Sequence, residues 1–169
     1  MTPVAVGGGL LLALALALGT SGALARPTFS GVVTHVSDGD TVWVRPDGAR
    51  RKPLKLRIRG IDAPERCQAG GAEASAALKS RLLQARVEVR SRASDRYGRL
   101  LVELRDERSG DDVGAWMVER GQAWSDGFRG RPGPYAAQER EARRAHRGLF
   151  TTPDPLPPAL FRRRHGPCD

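Results

Sequence analysis

Short strand-prone runs recur between residues 29 and 106, and in one of them, Leu54–Ile61, apolar and basic positions alternate with period two, the mark of a half-buried strand. Phe29–Val36 and Thr41–Val44 are two such runs, with Asp38–Gly39 between them. Asp-Gly in that place predicts a hairpin, because both residues tolerate positive φ. A second turn, "RPDGAR", leads into "LKLRIRGI" at Leu54–Ile61. Leu54, Leu56 and Ile58 fall on one side of this run and Lys55, Arg57 and Arg59 on the other, so one face is a comb of basic side chains. Two further strands, "VEVRS" and "LLVEL", flank the polar loop "RASDRYGR".

Three stretches switch to helical spacing. Gly71–Ala85 sets Leu78, Leu82 and small alanines on one stripe. Val113–Gly121 reads as a short helix stopped by its glycine. Pro134 opens a third, "YAAQEREARRAHRG", which ends at Gly148. Three strands, a helix, two strands and then helices predict an α+β fold: a five-stranded OB-type β-barrel with three helices, the first standing between the third and fourth strands. This domain is expected over residues 26–152. The Pro-rich, basic tail at 153–169 is expected to be irregular except where Cys168 ties it down.

The first 25 residues bear on where such a domain works. They carry no charged side chain and hold the run "LLLALALAL" at Leu10–Leu18, followed by "ALA" at Ala23–Ala25. An apolar core followed by small residues predicts a signal peptide over 1–25, cleaved to leave Arg26 first. An uncleaved anchor competes with it, since no Lys or Arg precedes the core and Val4–Ala25 approaches the roughly 20 residues that span a bilayer. The expectation is a secreted or periplasmic protein, free of the membrane once cleaved. Export makes one disulfide between Cys67 and Cys168 admissible, and two unpaired thiols fit the sequence as well.

A length of 169 residues indicates one domain. Its 28 Lys+Arg against 19 Asp+Glu, a formal charge of +9, favour a polyanionic partner such as nucleic acid or an anionic lipid surface. Only three of those 28 are lysines, so part of the surplus is compatible with a compositional preference for arginine.

Against that basic background, carboxylates at the ends of two strand-like runs need a reason. "DGD" at Asp38–Asp40 resembles the start of an EF-hand loop, yet the sixth position from Asp38 is Trp43 where Gly is required and the twelfth is Ala49 where Glu is required, which excludes it. Asp40 and Asp62, at the ends of neighbouring strands, remain able to offer oxygen to a hard cation. Each alone is as readily a turn former. Arg57, on the basic comb, and Arg99, closing "SDRYGR", are planar forks suited to gripping a phosphate, although a single arginine is usually a solvated surface charge. Glu65 has the chemistry to orient or deprotonate water beside a phosphodiester. "APE" is equally an ordinary entry to a turn.

In this order and spacing, "SDGDTVWV", "LRIRGIDAPE", "GAEASAAL", "SDRYGRLLVEL" and "MVERGQAW" resemble the thermonuclease (staphylococcal-nuclease-like) family, from about Phe29 to Phe150. The resemblance implies the same barrel with three helices, and Ca²⁺-dependent hydrolysis of DNA and RNA phosphodiesters that leaves 3′-phosphate ends. It implies Asp40 and Asp62 as Ca²⁺ carboxylates and the backbone carbonyl of Ala63 as a further ligand. Family members often carry Thr at that position, an exchange to which a carbonyl is indifferent. Glu65 is implied to hold the attacking water, Arg57 and Arg99 to bind the phosphate and stabilise its transition state, and Asp38 and Thr41 to support them. Where relatives show nucleotide-stacking tyrosines, this chain has "WSDGFRGRPGPY", offering Trp124, Phe128 or Tyr135.

A monomer acting on DNA and RNA, with no stable protein partner, is therefore expected. The alternative is a non-catalytic nucleic-acid-binding OB module, but degenerate copies lose the Asp, Glu or Arg positions and all five are here. A cationic protein acting by charge alone leaves the ordered motifs unexplained.

Overall fold

The computed structural model describes residues 28–48, 51–95, 98–127 and 130–168, so the expected signal peptide, Tyr97 and Phe128 lie outside the described residues. In chain order the elements are β1 (Thr28–Val36), β2 (Thr41–Pro46), β3 (Leu54–Ile58), β4 (Ile61–Asp62), α1 (Gly71–Leu82), β5 (Arg86–Ser94), β6 (Leu100–Asp106), α2 (Val113–Glu119), β7 (Trp124–Ser125), α3 (Ala136–Arg144), a 3₁₀ turn (Gly148–Thr151) and α4 (Pro158–His165). Among the described residues no helix is long and apolar enough to cross a membrane.

Five strands close into a barrel in the order β1-β2-β3-β6-β5, and β1 also pairs with β5. All neighbours are antiparallel except β3 and β6. Closure follows from the alternation: Val33, Val42, Val44, Leu56, Ile58, Val87, Val89, Val102 and Leu104 are each no more than 1% exposed. Burying a side chain of this size stabilises by about 1.5–3 kcal/mol. Leu78 and Leu82 of α1 and Met117 of α2 join the same core. Leu54, at the start of β3, departs from the expected pattern and stays 37% exposed.

The β1–β2 hairpin forms as expected, but for another reason. Gly39 is not among the residues with positive φ. Its use is steric: a Cβ there would stand 2.6 Å from Cβ of Ala63 and 2.9 Å from Cβ of Ala74. The missing side chain lets the hairpin tip close on α1 and on the loop after β4, which brings the two carboxylate motifs together.

The tail is a correction. A fourth helix, α4, occupies Pro158–His165 where irregular chain was expected. Proline enrichment misleads here because Pro158 sits at the first helical position, where its fixed φ suits a helix and its missing N–H costs nothing. Gly166, at φ 77°, ends the helix. Eight residues are too few to be helical alone, and the stabilising contacts come from afar. Cys168 is disulfide-bonded to Cys67 across 101 positions, and the side-chain amide of Gln68 donates to the carbonyl of Leu156 at 2.6 Å.

Candidate active site

The first carboxylate is positioned by the hairpin. The pairing of Thr41 with Arg57 across β2 and β3 brings Asp40, one residue earlier, beside the basic comb. Its backbone carbonyl accepts from Ile58 N–H at 2.8 Å, and its own N–H donates to Oδ1 of Asp38 at 3.1 Å. Thr41 Oγ1 donates to Asp40 Oδ1 at 3.0 Å. Asp40 Oδ2 accepts from Ala63 N–H at 3.1 Å, so one motif holds the other. Asp62 arrives on β4, which pairs with β7.

Arg57 joins the two carboxylates. Its Nη1 lies 2.5 Å from Asp40 Oδ2 and its Nη2 3.1 Å from Asp62 Oδ1, with all three side chains no more than 15% exposed. Burial pushes the Asp40 carboxyl up to about 7; Arg57 opposes that rise and Asp38 adds to it. Asp40 is thus a buried acid whose burial one guanidinium does not offset. An environment of this kind favours a further cation.

Glu65 follows three residues after Asp62, its loop closed by Glu65 N–H donating to Gln68 Oε1 at 3.2 Å. α1 begins directly behind this loop. A Cβ on Gly71 would be 2.0 Å from the Glu65 carbonyl oxygen, so only glycine allows so close an approach. Arg99 comes from the β5–β6 loop, its Nε 2.7 Å from Asp95 Oδ2 and its backbone N–H donating to Asp95 Oδ1 at 2.9 Å. Asp95 therefore fixes both the backbone and the head of Arg99. Arg59 does not join them; it pairs with Glu103 at 3.2 Å with half its side chain in solvent.

Asp38, Asp40, Thr41, Arg57, Ala63, Glu65 and Arg99 line one cleft of about 380 Å³, together with Pro64 and Arg162. Every catalytic or cation-binding residue expected from the sequence is thus at this cleft or, in the case of Asp62, ion-paired to its wall. Arg162 was not foreseen. It reaches in from α4, with Nη1 at 2.6 Å from Glu65 Oε1 and Nη2 at 3.2 Å from Asp62 Oδ2. In "FRRRHG" it is one arginine in a run of three, and nothing in its neighbours distinguishes it.

Two of the three candidate stacking aromatics are unsuited to that use. Trp124 is only 6% exposed and packs edge-on against Phe150, ring centroids 6.0 Å apart. Tyr135 is buried, and its hydroxyl donates to Asp112 Oδ1 at 3.0 Å. Burial, followed by Asp112, holds its phenol above the ordinary range. Rings this deeply buried are not free to stack on a base.

No group of three or more His, Cys, Asp or Glu among the described residues is arranged to hold a metal ion alone. The donor set still fits a hard cation shared with substrate. Two oxygen donors, Asp40 and Asp62, reach one guanidinium from two sides, and burial disfavours the charged form of Asp40, which a further cation would favour.

A closed OB-type barrel with a helix after its third strand, bearing carboxylates and arginines in one cleft at the strand ends, defines a site built for an anion and a cation together. The profile of the family described as "Staphylococcal nuclease homologue" matches residues 55–152, and the chain belongs to that family. The match includes Arg57, Asp62, Ala63, Glu65 and Arg99, while Asp40 precedes it and Arg162 follows it. The chain is 35% identical over 134 residues to an "Uncharacterized endonuclease" of Escherichia coli O157:H7, covering 79% of this chain and 85% of that one. It is 33% identical over 144 residues to a "Micrococcal nuclease" of Shigella flexneri, covering 80% and 81%. A Haemophilus influenzae "Uncharacterized endonuclease" is 29% identical over 155 residues, covering 92% and 85%.

Proposed function

We propose that this protein is a Ca²⁺-dependent nuclease that hydrolyses phosphodiester bonds of DNA and RNA with little sequence specificity, leaving 3′-phosphate ends, and that it acts as a secreted or periplasmic monomer. The observation that carries the reading is the convergence of Asp40, Asp62, Glu65, Arg57 and Arg99 on one cleft. The family and the names of its relatives support the nuclease part.

Asp40, Asp62 and the Ala63 carbonyl are the groups that would hold Ca²⁺, and the chemistry it supplies when bound is Lewis-acid polarisation of a phosphate oxygen. Glu65 accepts a hydrogen bond from the attacking water and takes its proton as the oxygen–phosphorus bond forms. The bond from phosphorus to the 5′-oxygen then breaks on the opposite side. The leaving 5′-oxygen takes up a proton from solvent, and the phosphate stays on the 3′-oxygen. Arg57 and Arg99 meet the extra charge of the pentacoordinate phosphorus through paired N–H donors. Contacts confined to phosphate carry no base information, which accounts for a lack of sequence specificity.

The test is digestion of single-stranded DNA, duplex DNA and RNA by the purified protein, with Ca²⁺ and with a Ca²⁺ chelator. Cleavage with Ca²⁺ alone, and products that a 3′-phosphatase can dephosphorylate, are expected. Hydrolysis of none of the three substrates with any divalent cation would refute the reading.

A further inference from the structure

Arg162 lies outside the matched part of the chain, and the residues proposed for the chemistry are complete without it. Its side chain nevertheless lines the same cleft as Arg57 and Arg99. It is placed there by a dedicated structure. The loop carrying Glu65 is joined to the C-terminal segment by the Arg162–Glu65 ion pair, by the Cys67–Cys168 disulfide with Cys67 N–H donating to Cys168 Sγ, and by Gln68 donating to Leu156. α4 is thus stapled to the catalytic loop on both sides of Arg162.

The geometry of its contacts shows what Arg162 is prepared for. Nη1 and Nη2 engage the two oxygens of Asp62 at 3.3 and 3.2 Å, and Nη1 also engages Glu65 at 2.6 Å. This is the forked geometry by which a guanidinium grips a planar or tetrahedral oxyanion. The side chain also keeps 43% of its surface open, unlike Arg57 at 15%. Asp62 and Glu65 are the carboxylates that acquire other duties when substrate arrives. Once released by them, the guanidinium would stand in the cleft that Arg57 and Arg99 also line.

We infer that Arg162 is a third phosphate-contacting arginine of this site, recruited from outside the shared domain by α4 and held in place by the Cys67–Cys168 disulfide. The ligand is the sugar–phosphate backbone of a nucleic-acid strand. The inference rests on the nuclease reading, and its test is arranged so that the two fail separately.

The probe is a labelled, cleavage-resistant phosphorothioate single-stranded oligodeoxynucleotide bound to the full mature chain in the presence of Ca²⁺, so that Asp62 and Glu65 are otherwise engaged and no cleavage competes. Arg162→Ala is expected to weaken binding roughly tenfold or more, the loss of a hydrogen-bonded charge contact. It should also reduce the slope of log affinity against log salt by about 0.7, one phosphate contact on a single strand. Arg163→Ala removes the same charge from the neighbouring exposed position and should change binding no more than about threefold. Cys168→Ser, checked by circular dichroism, should weaken binding in the parent protein and have no further effect in the Arg162→Ala background, because both changes remove one contact. Equal losses for Arg162→Ala and Arg163→Ala would reduce the effect to bulk charge and overturn the inference. Tighter binding by Arg162→Ala would make the side chain a plug of the cleft and would overturn it equally. Full additivity of Cys168→Ser with Arg162→Ala would remove the disulfide from the account. A parent protein that binds the strand but never cleaves its unmodified counterpart defeats the nuclease reading alone, whereas a cleaving parent with an unaffected Arg162→Ala variant defeats this inference alone.

Discussion

Replacing Arg57 separates two things that its position couples. The guanidinium bridges Asp40 and Asp62 at 2.5 and 3.1 Å, and the three side chains are 15%, 11% and 13% exposed. Removing one partner of a buried ion pair typically costs about 3–5 kcal/mol. Here the lower end, about 3 kcal/mol, is expected for Arg57→Ala, because neither carboxylate is left bare. Asp62 keeps Arg162, and Asp40 keeps the Thr41 hydroxyl and the Ala63 N–H. The proposed catalytic role adds a separate loss, about 10²–10³ in rate for one preorganised donor to the developing charge. Arg57→Lys divides the two. Its ammonium keeps the positive charge between the carboxylates but lacks the planar fork, so most of the stability should return while most of the rate stays lost.

The assay pairs urea denaturation with initial rates on single-stranded DNA, measured well below the unfolding midpoint of the weakest variant. A stable Arg57→Lys protein with near-parental rate would show that charge alone suffices and that the fork is irrelevant to the transition state. An Arg57→Ala variant that loses stability but less than tenfold in rate would reduce Arg57 to a structural clamp.

The remaining expectations concern the rest of the cleft and the chain ends. Glu65→Gln and Arg99→Ala should each lower the rate by about 10²–10³ while remaining folded, and Arg59→Ala, held by Glu103 away from the cleft, should keep most of its activity; equally mild Arg99→Ala and Arg59→Ala variants would leave the basic face a binding surface only. Asp40→Ala should shift the Ca²⁺ titration of the rate to higher concentration as well as lower its plateau, whereas an unchanged titration midpoint would take Asp40 out of the cation site. Reducing the disulfide should destabilise the chain, and loop-closure entropy for so long a loop sets the scale at up to about 4–5 kcal/mol; identical denaturation midpoints with and without reductant would show that the tail contributes no constraint. Mass spectrometry of the exported protein should find Arg26 at its start, and a chain retaining Met1 in the membrane fraction would identify an anchor instead.

What the sequence made legible, and what it hid, divides along a physical line. The barrel could be read because alternation is a local property: Leu56 and Ile58 carry their inward assignment in the parity of their positions and both are buried, while Leu54, of the same parity but at the start of its strand, stays exposed. The carboxylates could be read because each lies in a short motif whose neighbours constrain it. Gly39 shows where local reasoning gives the right element for the wrong cause. Its position in a turn pointed to backbone freedom, whereas the constraint is the approach of Ala63 and Ala74, 24 and 35 positions away. Trp124 and Tyr135 show the same limit, since an aromatic in a polar stretch looks available until Phe150 and Asp112 are found to engage it. Arg162 is the extreme case. It meets Glu65 across 97 residues through a helix that proline content argued against and a disulfide that the sequence left open. A run of three arginines cannot say which one points inward, because that choice is made by the angle at which α4 docks. The angle in turn depends on Cys168 and Leu156, which carry no chemistry of their own. The residues proposed for the chemistry each announce themselves in a short local motif, whereas Arg162 is placed by the tether that delivers it.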